Sequence, residues 1–392
     1  MSTSFSDGIH GQTYISSNLE RTRAFLVDRL SLRLLKCTVH HHDERLKQYY
    51  FGFDESTSLP DDRQAVVSFI EWHPIFYTLP PLGLLDLAEV QAALNHPRVG
   101  DGRGRWGGGT NHHLAFHVRS RESLLKWKRH LSDAGVNVTG PYDRNFFHAI
   151  YFREPDGAIF EIATTQPGFR RKEEIQEDAP EYTLIGVRSE DAIAAETWAD
   201  PIPEMTPDMT LAGFHHITSV CLESERTADF YVEKVGLDLI KRTEYMDAPN
   251  GTHYYYSALP DAVPGAIITF FGFPDQKPGQ LGIGLAHHFT LAAKGDAALA
   301  EWQEILTAKG VHTTPIQDHL YFNAFYFSDP DGHICSVATR PNFTLDEDAS
   351  SLGSRLCLPV RLEPRRAEIE RYLTLKPAPA PISAGLVAYP GI

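Results

Sequence analysis

Three features are scarce in this sequence of 392 residues, and each scarcity excludes a class of protein. The four cysteines are scattered with no CxxC spacing, which favours reduced thiols over a disulfide framework. Basic residues number 36 against 51 acidic ones, and the net charge of -15 argues against a nucleic-acid partner. No run reaches the roughly 18 apolar residues of a membrane span, and the first residues lack signal-peptide features. We therefore expect a cytoplasmic protein without a membrane partner.

The composition is that of a globular chain with more than one domain. Hydrophobic residues make up 42% and aromatic residues 11% of the sequence, enough for sizeable cores. The length fits about two to three domains. The glycine-rich segment 102–109 fits neither of the common phosphate-binding patterns, so we expect a flexible loop there. No Ser-His-Asp or Cys-His arrangement indicates nucleophilic catalysis.

The chain repeats itself at long range. Four segments of the first half align with four segments of the second half, namely 8–15 with 213–220, 20–38 with 225–243, 111–116 with 286–291, and 148–169 with 323–343. Within each repeat, a strand and an amphipathic helix are followed by strand-rich stretches, and this order occurs twice. The sequence therefore predicts four β-α-β-β-β modules in an α+β fold.

The repeats also predict the domain boundaries. We expect a first domain at 1–165, a linker rich in Pro, Glu and Asp at 166–208, and a second domain at 209–345. Residues 346–392 are expected to be a C-terminal extension that ends in a loose tail.

Paired histidines begin two of the predicted strands. His112 and His113 open one strand, and His215 and His216 open another. Because successive side chains of a strand point to opposite faces, only one histidine of each pair can face a common centre. Glu161 lies on the last strand of the module that begins with His113. Two imidazoles and one carboxylate form a facial triad, which leaves coordination positions open on Fe(II) or Mn(II).

The internal repeat acts as a control for this interpretation. Gly11 stands where the other copy has His216, and Ser336 stands where it has Glu161. Only His288 remains of the equivalent trio. We therefore expect a single metal, held by His113, His216 and Glu161, and a second pocket that is empty or structural. The run of three histidines at 40–42 has no identifiable carboxylate partner and is expected to be a loop.

The motifs as a set resemble a known superfamily. The module pattern, with "HHIT", "DFYVEKVGLDLIKRT" and "YFREPDG", is similar to the vicinal oxygen chelate superfamily. More narrowly, these motifs and the segment "NFTLDEDASSLGSRLCLPVRLEPRRAEIERYL" resemble ring-cleaving dioxygenases that act on hydroquinones and chlorohydroquinones. The resemblance covers residues 5–375 and implies two tandem domains of this type, Fe(II), a small aromatic diol and O2.

The resemblance also implies residues around the metal. Matching positions in this chain are His112, His215, Thr218, Arg144 and Tyr151. The second pocket keeps the equivalents of four of them but has a histidine in place of the arginine; these positions are His10, Thr13, His287, Tyr326 and His319. This chain departs from the family pattern because its complete site comes from the second and third modules, whereas the family uses the first and fourth. Substrate access and substrate identity are therefore open.

The sequence leads to one main functional hypothesis and two alternatives. The main hypothesis is an extradiol-type dioxygenase, in which His112 or His215 is the acid-base group, Tyr151 hydrogen-bonds an oxygen of the substrate, and Arg144 offsets negative charge. A glyoxalase-like lyase or transferase is the first alternative, although such enzymes commonly have a second glutamate at the metal. A non-catalytic binding protein is the second. The sequence leaves homo-oligomerisation and the ring substituents open.

Overall fold

The computed structural model describes residues 5–41, 43–53, 65–72, 88, 102–144, 146–169, 190–245 and 250–374. These residues form sixteen strands, arranged as four modules of four. The first two modules contain β1 (Ser6–Ser16), β2 (Arg33–His40), β3 (Asp43–Gly52), β4 (Val66–Glu71), β5 (Asn111–Val118), β6 (Val138–Asp143), β7 (His148–Arg153) and β8 (Ile159–Thr164). The last two contain β9 (Phe214–Cys221), β10 (Asp238–Glu244), β11 (Thr252–Ser257), β12 (Ile267–Gly272), β13 (Ala286–Ala293), β14 (Gln317–Asp318), β15 (Asn323–Ser328) and β16 (Ile334–Thr339).

A helix follows the first strand of every module. These helices are α1 (Leu19–Asp28), α2 (Arg121–Asp133), α4 (Ser224–Asp229) with a π-helical continuation (Phe230–Val235), and α5 (Asp296–Ala308). Two further helices, α3 (Glu190–Ala195) and α6 (Arg366–Leu373), lie outside the modules. The α+β fold of four β-α-β-β-β modules predicted from the repeats is thus confirmed.

The sixteen strands form two sheets of eight, and each sheet combines modules from both repeats. One sheet has the order β14-β15-β16-β13-β1-β4-β3-β2, and the other has the order β10-β11-β12-β9-β5-β8-β7-β6. The modules meet through antiparallel pairs, β1 with β13 and β5 with β9. The second sheet therefore brings the second and third modules side by side. The boundaries of the two domains and of the linker remain a prediction from the repeat.

The face of the second sheet that carries the helices forms the apolar core. On β5, Leu114 and Phe116 are fully buried in this core, together with Ile217 of β9. The helix α2 covers them because its apolar residues recur at helical spacing, with Leu124, Trp127 and Leu131 fully buried. The alternate residues of β5 and β9 point to the opposite face. That face carries one histidine of each pair, His113 on β5 and His216 on β9.

The C-terminal extension packs on the first module. Helix α6 contacts β3, and Ile369 of α6 shares a small apolar cluster with Val39 of β2. The ammonium group of Lys36 is fully buried and lies 2.6 Å from an oxygen of Asp346 and 2.5 Å from an oxygen of Glu347. The extension is therefore fixed to β2 by apolar packing and by an ion pair. The predicted loose tail beyond residue 374 lies outside the described residues.

Two expectations about the whole chain concern cysteines and membranes. All four cysteines are buried free thiols. Among the helices of the described residues, none has the length and apolar character needed to cross a bilayer.

Candidate metal centre

Three side chains from three strands converge on one point of the second sheet. The Nε2 atom of His113 lies 2.8 Å from Oε2 of Glu161 and 3.2 Å from Nε2 of His216. The Nε2 atom of His216 lies 3.5 Å from the same carboxylate oxygen. The exposed fraction is 2% for each histidine and 0% for the glutamate. The group predicted from the sequence is therefore assembled, in a fully buried position.

The strand register explains why these residues meet. Ala115 of β5 pairs with His216 on one side and with Glu161 on the other, and Tyr151 of β7 pairs with Glu161. His113, two residues before Ala115, pairs with Thr218. Because residues two apart on a strand share a face, all of these side chains emerge on the same side of the sheet. The three side chains of the histidine–glutamate group thus come from two neighbouring rows of paired residues that run across the sheet.

The other member of each histidine pair lies behind its neighbour. The Nδ1 atoms of His112 and His113 are 2.7 Å apart, and those of His215 and His216 are 2.8 Å apart. A hydrogen bond at Nδ1 fixes the tautomer and orientation of a histidine whose Nε2 faces a metal. His112 and His215 therefore orient His113 and His216 so that their Nε2 atoms face Glu161.

The charge states of the group suit a cation. Burial, reinforced by Arg144, lowers the pKa of His113 to about 3, and burial lowers that of His216 to about 4. Both imidazoles are therefore neutral near pH 7 and offer lone pairs. Burial also raises the pKa of Glu161, and His216, Arg144 and the Tyr151 phenol offset this rise only in part. Neither carboxylate oxygen has a hydrogen bond of normal geometry, and a buried carboxylate with so little compensation is costly in free energy.

The spacing of the three ligand atoms matches a metal ion. Bonds of about 2.1 Å to a metal place two neighbouring ligand atoms roughly 3.0 to 3.4 Å apart in octahedral or tetrahedral geometry. The observed separations of 2.8, 3.2 and 3.5 Å bracket this range. The residues present therefore fit a divalent cation, which would satisfy both the carboxylate and the two lone pairs.

A second acidic cluster in the described residues fails the same test. Asp346, Glu347 and Cys357 have ligand atoms close enough for a metal. However, the Lys36 ammonium already lies between them, 3.8 Å from the Cys357 sulfur and bonded to both carboxylates. This cation takes the place that a metal would need, so the cluster is an ion-pair site.

The remaining predicted residues surround the histidine–glutamate group. The Thr218 hydroxyl lies 2.9 Å from Nε2 of His113, and the Tyr151 ring packs edge-on against the His113 ring at 5.6 Å. The guanidinium carbon of Arg144 is 5.7 Å from the centroid of the Tyr151 ring. Arg144 and Tyr151 line a small cavity with His113 and His216. The structure thus brings every predicted site residue to one place.

Sequence reasoning missed most of the cavity wall. The cavity is also lined by an aromatic and imidazole set from β11, β12 and neighbouring loops, namely Phe147, Tyr245, His253, Tyr255 and Phe271. Alternation in "THYYYS" places His253 and Tyr255 on one face, but nothing local connects them to the histidine pairs. Phe169, inside the predicted linker, stacks near His215 and Tyr255 with centroids at 6.0 and 5.6 Å. Prediction of these wall residues would have required the register across two strands, which the sequence does not show.

The space at the histidine–glutamate group is small. The cavity has a volume of about 10 Å³, which is about the size that one water molecule needs. A larger cavity of about 600 Å³ is lined in part by Phe169 and His215, whose rings pack against Phe147 of the small cavity. A ring-sized ligand therefore reaches the group only if aromatic side chains such as Phe147 and Phe169 move.

The glycine-rich segment is more ordered than expected. Residues 102–109 form backbone hydrogen bonds with 277–283, for example from Arg105 N to Gln280 O at 2.8 Å. A Cβ atom on Gly107 would lie 2.3 Å from the carbonyl oxygen of Lys277, so glycine is needed for this close approach. The ring of Trp106 packs edge-on against His112 at 5.6 Å. The segment therefore supports the back of the site.

The pseudo-equivalent site in the first sheet lacks two of the three groups. His288 is present, and its Nε2 atom lies 3.2 Å from the Thr13 hydroxyl. A Cβ atom on Gly11 would lie 2.4 Å from the carbonyl oxygen of Val66, so the strands are too close for a side chain there. Ser336 occupies the position of Glu161. Within the described part of the chain, these positions form no group of three metal ligands.

The other residues matched to the second pocket also lie around it. His10, Tyr326 and His319 line a cavity of about 20 Å³, with His287 bonded through Nδ1 to His288 at 2.9 Å. Of the run 40–42, His40 ends β2 and His41 lies in the following turn, while His42 lies outside the described residues. The ring of His41 packs against His319, with centroids 3.5 Å apart.

Comparison with known proteins places this fold in a family. The chain is 26% identical over 367 residues to a Bacillus subtilis (strain 168) protein provisionally named ring-cleaving dioxygenase MhqO, covering 93% of this chain and 95% of the relative. It is 23% identical over 368 residues to MhqE of the same organism, which bears the same provisional name, covering 94% and 98%. A crystal structure of a provisionally assigned B. subtilis dioxygenase superposes with a TM-score of 0.68 at 24% identity, covering 96% of this chain and 98% of that one.

A family model gives the assignment directly. The model described as Glyoxalase/Bleomycin resistance protein/Dioxygenase superfamily matches residues 8–162 and 213–336, which is more than half of the chain. The two matched segments contain the four modules and all three members of the histidine–glutamate group. The chain therefore belongs to the glyoxalase/bleomycin resistance protein/dioxygenase superfamily.

Proposed function

We propose that this protein is a ring-cleaving dioxygenase that uses non-haem Fe(II) to cleave an aromatic diol of the hydroquinone or catechol type with O2. The observation that carries the proposal is the convergence of His113, His216 and the buried Glu161 carboxylate beneath a wall of aromatic side chains. The provisional names of the two full-length relatives support the same chemistry. Mn(II) is the alternative metal, because it accepts the same ligands.

The metal site would be built by residues of two modules. His113 and Glu161 come from the second module, and His216 comes from the third. One carboxylate and two neutral imidazoles leave a net positive charge on a divalent cation, which favours binding of an anionic oxygen ligand. When bound, the metal would bring the diol and O2 together and conduct electrons between them. The protein supplies orientation, charge and exclusion of water.

The surrounding side chains would act on the ring and its oxygens. The aromatic wall formed by Phe147, Tyr245 and Phe271 would hold a planar ring and exclude bulk water. The Tyr151 phenol would hydrogen-bond an oxygen of the substrate, and the Arg144 guanidinium would offset negative charge that develops there. Burial holds the pKa of Tyr151 well above its ordinary value, so the phenol keeps its proton as a donor.

The contacts of His112 and His215 favour one of two roles. Each is bonded through Nδ1 to a neighbouring histidine of the group. This arrangement supports an orienting role for both, in addition to the acid-base role that the resemblance implies for one of them. A variant with His112→Ala that binds iron and turns over normally would remove His112 from the mechanism.

The test is anaerobic reconstitution with Fe(II), followed by measurement of O2 consumption with a panel of hydroquinones and catechols. We expect one iron per chain and consumption of one O2 per diol. Glu161→Ala should abolish tight iron binding and turnover, whereas Ser336→Ala, at the pseudo-equivalent position, should change neither. Metal-dependent isomerisation or thiol transfer without O2 uptake would favour a glyoxalase-like enzyme. Failure to retain any metal would favour a binding protein.

A further inference from the structure

A row of hydrogen-bonded side chains leads away from the histidine–glutamate group. The Thr218 hydroxyl, 2.9 Å from Nε2 of His113, lies 2.8 Å from the Thr269 hydroxyl. The Thr269 hydroxyl lies 3.0 Å from Nε2 of His253, and Nδ1 of His253 lies 2.7 Å from the Tyr255 hydroxyl. The row follows the register of the sheet, because Thr269 pairs with Thr218 on β9 and with Tyr255 on β11.

His253 is the one imidazole in this row. It is 7% exposed, and both of its ring nitrogens face hydroxyl groups. Burial, reinforced by His216 and Arg144, holds the pKa of His253 well below its ordinary value, so the ring is neutral. A neutral imidazole has one nitrogen that donates and one that accepts, and the two can exchange these roles. Each hydroxyl of the row can also donate and accept.

The pseudo-equivalent site contains the same row with one substitution. Thr13 lies 2.7 Å from Ser68, and Ser68 accepts a hydrogen bond from Nε2 of Gln48 at 3.4 Å. Gln48 stands where the other copy has His253. An amide nitrogen only donates. The Ser68 and Thr13 hydroxyls can each donate to the other. The Gln48 nitrogen cannot accept, so this end of the row cannot take up a proton from Ser68.

The comparison of the two rows isolates what the imidazole adds. The strand pairing and the hydroxyl positions are the same in both sheets, and the site that lacks His216 and Glu161 equivalents also lacks the imidazole. An amide holds its protons, so its row cannot be reversed by movement of protons alone. An imidazole can accept a proton at one nitrogen while it releases a proton from the other nitrogen. The hydrogen bonds of its row can therefore reverse their direction.

We propose that His253 is a positioning residue that acts through Thr269 and sets whether the Thr218 hydroxyl donates or accepts a hydrogen bond at the histidine–glutamate group. The proposal rests on the proposed dioxygenase function, because it concerns the proton that an aromatic diol loses on binding. The substrate O–H bond breaks, and its proton passes to Thr218, whose own proton passes to Thr269. The Thr269 proton passes to Nε2 of His253, and the Nδ1 proton passes through Tyr255 to water. No electrons are transferred in this step.

The decisive variant is His253→Gln, which gives the intact site the amide of the other sheet. We expect iron content and thermal stability close to those of the wild type, and a loss of kcat of about 10²-fold, the size of one acid-base contribution. KM should change little. Gln48→His is the matched control in the first sheet, and we expect it to leave iron content and turnover unchanged.

A spectroscopic readout separates this role from a structural one. Nitrohydroquinone, whose absorption reports its ionisation, should bind anaerobically to the iron-loaded wild type as the anion. With His253→Gln, the anion should form about 10²-fold more slowly after anaerobic mixing at the same pH, because the path for the proton is interrupted. Thr269→Val should have the same effect because it removes a hydroxyl, and Thr269→Ser should restore the rate.

Each outcome has a defined meaning. Wild-type kcat and an unchanged rate of anion formation in His253→Gln would overturn the role of His253 and leave the dioxygenase proposal intact. Loss of iron in His253→Gln, Thr269→Val and Thr269→Ser alike would show a purely structural row and would also overturn it. A wild-type protein that takes up no iron and consumes no O2 would refute the proposed function, and the role of His253 would fall with it.

Discussion

The Nε2 atoms of His113 and His216 lie 3.2 Å apart, although 103 positions separate the two residues in the chain. Two imidazolium ions could not be tolerated at this distance in a buried site, so the two rings cannot both be charged. Their pKa values in the folded protein are about 3 and about 4, below the ordinary 6.5. This relationship links the stability of the protein to pH.

We expect the metal-free protein to lose stability as the pH falls from about 6.5 towards 4. In this range the unfolded chain takes up protons on these two imidazoles and the folded chain does not, so protonation favours unfolding by roughly a few kcal/mol. Urea midpoints measured across this range test the prediction. His113→Asn should flatten the slope, whereas substitution of the exposed His312 by Asn should not. A midpoint independent of pH would contradict the neutral pair.

A second prediction concerns the pseudo-equivalent site in the first sheet. Gly11→Ala should destabilise the protein by about 1 to 3 kcal/mol, because its Cβ atom would meet the Val66 carbonyl oxygen at 2.4 Å. The double variant Gly11→His with Ser336→Glu should therefore fail to create a second metal site. Thermal unfolding measures the first effect and metal analysis the second. Ser336→Glu alone is the control, and two bound metals per chain would contradict the argument.

A third prediction concerns access to the small cavity. Phe169 lines the cavity of about 600 Å³ and packs against Phe147 of the small cavity, with ring centroids 6.0 Å apart. Phe169→Ala should open the path and raise kcat/KM for bulky alkyl-substituted diols relative to the unsubstituted diol by about 10-fold, the effect of one or two methylene groups in a hydrophobic pocket. Steady-state O2 consumption measures the ratio.

The control for access is Phe343→Ala. Phe343 also lines the larger cavity but packs against Tyr50 and Tyr321 of the first sheet, away from the histidine–glutamate group. We expect it to leave the ratio unchanged. Equal effects of the two substitutions would show that cavity size, and not the path, determines the preference.

A fourth prediction concerns the buried ion pair of the C-terminal extension. Lys36→Met should destabilise the protein by about 3 to 5 kcal/mol, because Asp346 and Glu347 would lose the ammonium that compensates them. The iron content of the folded protein should not change. Lys47→Met, which breaks an ion pair with the exposed Glu20, should cost less than about 1 kcal/mol. Similar losses in both variants would contradict the importance of burial.

Some features of the site were predictable from the sequence because they depend on simple periodicities. Alternation along a strand separates His216 from His215, and the repeat identifies Glu161 by its contrast with Ser336. The module pattern also gave the fold. These signals needed only neighbouring residues and one internal alignment.

Other features depend on contacts that no local pattern encodes. His253 lies on β11, two strands away from β9, and it is connected to the site through Thr269. A lone histidine in "THYYYS" does not reveal this connection. Trp106 reaches His112 because residues 102–109 pair with 277–283, a long-range pairing that glycine content alone did not predict. Register and loop pairing are decided by tertiary packing. This packing depends on many distant residues together and not on any local pattern.

The distribution of the repeats over both sheets has a consequence for how the two sites could diverge. In a symmetric dimer of two identical single-repeat chains, every residue would occur twice, and both sites would have to be equal. Because one continuous chain carries both copies, one site can have Gly11 while its counterpart has His216. Covalent fusion is thus what permits this molecule to keep three potential metal ligands in one half of its symmetry and to lose two of them in the other.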